Sequence, residues 1–138
     1  VLPMDTGVCV RHEAFQLAMH GTSVAQARHR TLAWLLRHSI AGEPAETAVL
    51  ITSELVTNAL VHSVSDVISC ALHLDNGHLR IEVTDQGTIK TAPAVQHPAL
   101  EDLSGRGLLL VDTLSEAWGV TPVTPCGQTV WAIVPTRP

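Results

Sequence analysis

Charge is scarce in this chain: only 15% of its 138 residues are Asp, Glu, Lys or Arg, and the formal net charge is −5. The seven arginines and one lysine are scattered, with no basic cluster. Nucleic-acid binding is thus disfavoured, because a phosphate backbone is met by concentrated positive charge. No apolar run approaches the ~18 residues of a membrane span. No basic, apolar, small-residue succession marks a secretion signal at the start, so the chain is expected in the cytoplasm. Cys9, Cys70 and Cys126 are odd in number and lack C-x-x-C spacing, which argues against a disulfide framework and against a zinc site. The eight histidines offer no better metal site. Neither His29 with His38 nor His12 with His20 has the i, i+3 or i, i+4 spacing that puts two imidazoles on one helical face with an acid.

Apolar residues are plentiful, at 46%, and the length is that of one domain, so a single unit over residues 1–138 with one core is expected. One stretch stands out chemically. Residues 53–63, Ser-Glu-Leu-Val-Thr-Asn-Ala-Leu-Val-His-Ser, place an acid, an amide and an imidazole in an apolar segment. At roughly 100° per residue on a helix, Glu54, Asn58 and His62 fall at about 0°, 40° and 80° and form one stripe. Val49, Leu50, Val56, Leu60 and Val61 occupy the other directions, so this helix is expected to be buried nearly all round. A carboxylate there needs a partner, since leaving it ionised and alone in a core costs several kcal/mol. The pattern implies a cavity, water, metal or ligand on that stripe.

In chain order, residues 8–17 read as a first strand. Thr22 or Ser23 can cap a helix that continues to Gly42. Gly42-Glu43-Pro44 then punctuates the chain before the helix that carries Glu54, expected over about residues 45–63. Residues 67–74 and 78–85 flank Asp75-Asn76-Gly77 and read as a hairpin with a primed turn. In its second strand Leu79, Ile81 and Val83 alternate with Arg80, Glu82 and Thr84, and Asp85 has the parity of the apolar side. Residues 88–103, with Pro93 and Pro98, read as a lid. Ser104-Gly105-Arg106-Gly107 opens an apolar helix over about 108–117, where free backbone N–H groups and the helix dipole suit an anion. Two strands at 118–124 and 128–134 complete the chain. The expected architecture is an α/β two-layer sandwich, of the α+β kind, with helices on one face of a mainly antiparallel sheet.

Taken in order, Glu54-Leu-Val-Thr-Asn58-Ala, Asp85-Gln-Gly87, Gly105-Arg-Gly107-Leu and Gly127-Gln-Thr129-Val-Trp131 resemble the Bergerat-fold (GHKL) ATP-binding domain over about residues 15–134. The nearest form is the small domain of the anti-sigma factor serine/threonine kinases. The resemblance implies ATP and Mg²⁺ as ligands, with Asn58 holding the metal through its amide oxygen. It casts Glu54 as the base that orients and deprotonates the attacking group. Asp85 is to accept from the adenine amino group, with Thr129 as a neighbour through water. Gly87 is to let the backbone pass the base, Gly105, Arg106 and Gly107 are to donate to phosphates, and Lys90 is to reach the terminal phosphate. His62 supports the helix face. The implied partners are a sigma factor and an anti-anti-sigma factor, and a homodimer through the first helix or strand is a further expectation. The chain departs from the family pattern at Thr88 and Ile89, where a second glycine is common, and at Gln128, where a lysine is common. These departures keep two alternatives open: a non-catalytic nucleotide-binding module, and a purely protein-binding domain of the same fold.

Overall fold

At Asn76-Gly77 the backbone turns through φ angles of 51° and 82°, the left-handed pair that a two-residue primed hairpin requires. It joins β2 (Val67–Asp75) to β3 (His78–Asp85) in antiparallel register from Asp75 opposite His78 to Ile68 opposite Asp85. This computed structural model describes residues 11–18, 21–63, 66–86, 106–124 and 126–137, with the backbone alone for 106 and 107. Its other elements are β1 (Arg11–Ala18), α1 (Ser23–Arg37), α2 (Gly42–His62), α3 (Arg106–Leu114), β4 (Ala117–Pro122) and β5 (Gln128–Pro135). The strands lie in the order β1-β2-β3-β5-β4, and every pairing is antiparallel. The expected α/β two-layer sandwich is thus the observed one. The part of the first strand expected before Arg11 falls outside the described residues, as does the lid.

Side-chain alternation assigns the two faces of the sheet. Phe15, Leu17, Ile68, Cys70, Leu72, Leu74, Leu79, Ile81, Val83, Val130, Ala132 and Val134 all share one parity and join the helices in a single buried cluster. From α1 and α2 come Leu35, Ile51, Leu55 and Val56, each fully buried, and from α3 Leu108 and Val111. Full burial of a Leu, Ile or Val contributes about 1.5–3 kcal/mol, so this one face carries most of the fold's stability. Burial also pushes the Cys70 thiol up to about 12. At neutral pH it is a small apolar filler rather than a nucleophile.

The opposite face is open and carries a polar band. Trp131 packs against Gly119, where a Cβ would come within 2.7 Å of its ring. The Arg80 guanidinium stands 4.5 Å from the Trp131 ring centroid and donates to Glu82 at 2.5 Å. Further along, His73 is 3.9 Å from Glu82, and its ring centroid is 4.6 Å from that of His12.

Three helix boundaries and one helix environment differ from the sequence reading. The first helix ends at Arg37 instead of continuing to Gly42. Its end is closed by the N–H groups of His38 and Ile40, both donating to the Leu35 carbonyl, around a left-handed Ser39 with φ 64°. Gly42 opens the next helix rather than closing this one, and the third helix stops at Leu114. The second helix is not buried all round: Leu50 and Val61 are 38% and 64% exposed, on an outward strip with Glu43, Glu46 and Thr57. A helix packed between one sheet and two flanking helices keeps a side toward solvent, and apolar composition alone does not reveal which. Among the described residues no helix is long and apolar enough to cross a membrane.

Candidate functional site

The stripe of Glu54, Asn58 and His62 forms on α2 and grades from solvent to core. His62, in the last turn where a basic group suits the helix dipole, is exposed. Glu54 is half-buried and keeps access to solvent. Asn58 is buried, at 4% exposure, and its Oδ1 has no hydrogen-bond partner among the described residues. Its polar neighbours on the helix are satisfied locally: Thr52 Oγ1 donates to the Ala48 carbonyl at 2.9 Å and Thr57 Oγ1 to that of Ser53 at 2.8 Å. The buried group in want of a partner is thus the amide, where the sequence pattern pointed to the acid. The open side of α2 gives Glu54 its water. A buried acceptor left alone costs about 1–3 kcal/mol, and an amide oxygen is a hard donor of the kind that magnesium takes. The other such atom among the described residues is Thr31 Oγ1, on the buried side of α1.

A second group of residues meets at the Asp85 end of the sheet. Asp85 closes β3 on the core side with only 7% of its surface exposed. Ile68 stands opposite it on β2 and Gln128 on β5. Just before Gln128, Gly127 has φ 102°, and a Cβ there would overlap the Asp85 carbonyl and come within 2.7 Å of the Gln86 carbonyl carbon. Cys126 Sγ donates to the Gln86 carbonyl at 3.1 Å, and the Val123 N–H to the Gly127 carbonyl at 3.1 Å. The β4–β5 turn is therefore pressed on the backbone that follows Asp85. Gly127→Ala is expected to lower stability by about 3 kcal/mol, combining a disfavoured φ with a backbone overlap, as read from chemical denaturation.

Thr129 does not join Asp85. It stands opposite Thr84, and the two hydroxyls are 2.7 Å apart on the open face, with Glu82 and Trp131 of the same parity. A shift of one residue along a strand moves a side chain to the other face, so the residue beside Asp85 is Gln128. That parity was readable, since Gln128 alternates in phase with Val130, Ala132 and Val134.

Gly87, Lys90 and Gly105 lie outside the described residues, as do Thr88 and Ile89. Arg106 and Gly107 form the first two positions of α3, whose opening turn contains no acidic residue. Leu108 and Val111 pin that helix to the core, and it packs on α2. The first N–H groups of a helix have no partner within it, which makes this end favourable to an anion.

Comparison with known proteins agrees with this arrangement. Residues 18–134 match the family model described as the histidine kinase-like ATPase domain. The fold is similar to the crystal structure of the RsbU and RsbW domains of Rv1364c from Mycobacterium tuberculosis, with TM-score 0.69 and 20% identity over 92% of this chain. This chain spans 33% of that longer one. It is also similar to the SiaB–SiaC complex from Pseudomonas aeruginosa, with TM-score 0.65, 12% identity and coverage of 88% of this chain and 89% of the other. No curated protein gives a significant match. With the family model spanning four of the five strands and all three helices, the chain belongs to the histidine kinase-like ATPase domain family.

Proposed function

We propose that this domain binds Mg-ATP between α2 and the Asp85 end of the sheet, and transfers the terminal phosphoryl group to a serine or threonine of a partner protein. The observation that carries the reading is the Asn58 Oδ1 without a partner among the described residues, a buried hard oxygen on the helix of an ATPase-domain family where a phosphate-bound cation needs a protein ligand. Asn58 holds Mg²⁺, which neutralises phosphate charge when bound. Asp85, acceptor-only when ionised, receives a hydrogen bond from the adenine amino group. The first turn of α3 donates backbone N–H groups to phosphate oxygens. Glu54, one turn before Asn58 and open to water, takes the proton of the partner hydroxyl as that oxygen bonds to the γ-phosphorus. The bond from phosphorus to the bridging oxygen breaks and ADP leaves. The outcome is a regulator of the anti-sigma factor kinase type, which phosphorylates an anti-anti-sigma partner and otherwise holds a sigma factor. Likeness to an RsbW domain and to a SiaB–SiaC complex supports a protein partner.

Calorimetry with Mg-ATP tests the pocket. The native chain is expected to bind, and Asp85→Asn, which replaces a pure acceptor by a group that also donates, to bind about 10-fold more weakly. Equal affinity in the two proteins would remove Asp85 from the site.

A further inference from the structure

We infer that the acceptor hydroxyl arrives along the outward strip of α2, on a segment that carries a basic residue and two apolar residues around its serine or threonine, an inference that rests on the phosphoryl-transfer reading of this site. The helix divides into two sides at Glu54. Counting about 100° per residue from that position, Asn58 lies at about +40° and is buried, whereas Val61, Leu50, Thr57 and Glu46 lie at about −20°, −40°, −60° and −80° and are exposed. Asn58 Oδ1, without a partner among the described residues, marks the side on which the phosphates belong. The open side begins at Glu54, so an acceptor that comes to this carboxylate from solvent passes over Leu50, Thr57 and Val61.

The chemistry of the strip says what it accepts. Leu50 and Val61 are 38% and 64% exposed, and they bracket Glu54 one turn before it and two turns after it. Glu46 stands about two turns before Glu54, and among the described residues neither takes part in an ion pair: the acids that do are Glu13, Glu82 and Glu116. The carboxylate of Glu43 has a local reason in the first turn of the helix, where the dipole favours it, and that reason does not extend to Glu46. Thr57 spends its hydroxyl proton on the Ser53 carbonyl, so the strip presents carboxylates and apolar surface. An acidic segment is repelled there and a basic one is held. At a rise of about 1.5 Å per residue, Leu50, Glu46 and Val61 stand about 6, 12 and 10.5 Å along the axis from Glu54. An extended segment advances about 3.3 Å per residue. The match is an apolar side chain two residues from the hydroxyl, a basic one four residues away on the same side, and a second apolar one three residues away on the other.

Label transfer from γ-labelled Mg-ATP on the full chain tests this with four synthetic peptides: Arg-Ala-Leu-Ala-Ser-Ala-Ala-Leu, the same sequence reversed, and each with Glu in place of Arg. Native protein, Glu46→Arg, Leu50→Gln and Val61→Gln are compared, each first shown to melt cooperatively and to bind Mg-ATP alike in calorimetry. In one of the two directions, native protein is expected to use the arginine peptide with a kcat/KM about 3- to 10-fold above that of its glutamate counterpart, a preference that high salt narrows. Glu46→Arg inverts the preference. Leu50→Gln and Val61→Gln keep good helix formers and raise the KM for the arginine peptide about 3- to 10-fold with kcat kept, because the lost contact is made equally before and during transfer. Equal use of arginine and glutamate peptides, a preference that survives Glu46→Arg, or a KM unmoved in both glutamine variants overturns the inference and leaves the transfer reading intact. A native protein that binds Mg-ATP yet labels none of the four peptides overturns the inference and leaves the nucleotide pocket standing; one that binds no Mg-ATP overturns both.

Discussion

Replacing Glu54 by alanine is expected to slow phosphoryl transfer to the partner hydroxyl by about 100- to 10,000-fold, the range supplied by a positioned general base. Binding of Mg-ATP should stay within about threefold of the native value, because the role proposed for Glu54 is a contact with the attacking group and not with the nucleotide. The structure gives this split its basis. Glu54 is half-buried and Asn58 is buried one turn later on the same helix, so a carboxylate at the solvent side stands one turn from the buried amide proposed to hold the cation. An incoming serine or threonine meets the acid first. Glu54→Gln keeps the size and loses the basicity, and should be slowed comparably; a variant that keeps its rate would show the residue to be structural. The measurement is the rate at which label passes from γ-labelled ATP to the partner. A native protein that binds ATP yet passes no label favours instead a non-catalytic module whose nucleotide only shapes a partner surface.

Asn58→Ala carries the second large effect. Removal of the Oδ1 that lacks a partner among the described residues should abolish the magnesium-dependent part of ATP affinity, a loss of about 100-fold or about 2.7 kcal/mol. In the native protein chelation of Mg²⁺ should weaken ATP binding, and in Asn58→Ala it should change nothing. Asn58→Asp restores an oxygen donor and is expected to restore the magnesium dependence. Folding stability responds differently from binding. A small packing loss is set against relief of an unsatisfied buried acceptor, so without nucleotide the alanine variant should lie within about 1 kcal/mol of the native protein. If Asn58 were instead a purely structural residue, alanine would lower stability and leave magnesium dependence untouched.

Much of the fold is legible in the letters where local chemistry decides. Asn76-Gly77 specifies its turn because few other pairs adopt two left-handed conformations, and the alternation of Leu79, Ile81 and Val83 places Asp85 on the core side. The helix with Glu54 and Asn58 is equally plain. What is hidden is set by tertiary contact. Ser39 enters the left-handed region without a glycine to announce it, so the first helix ends before the pattern does. The open side of α2 follows from where the sheet and its neighbouring helices lie, which moved the orphaned group from Glu54 to Asn58. Gly127 belongs to a recognisable motif, but the reason for it, a turn pressed onto the backbone of Asp85 and Gln86, exists only in the folded chain. The alternation of β5 likewise places Thr129, whose hydroxyl meets that of Thr84 on the face away from Asp85.

Thermal unfolding with and without excess Mg-ATP tests the central claim, that this domain holds a nucleotide through Asn58 and the Asp85 end of the sheet. A ligand that binds the folded state alone stabilises it by about 2.7 kcal/mol at 100 times its Kd, which for a domain of this size raises the Tm by about 5–10 °C. The account predicts that rise in the native protein, reduced when Mg²⁺ is chelated. A melting curve that excess Mg-ATP leaves unmoved would contradict it.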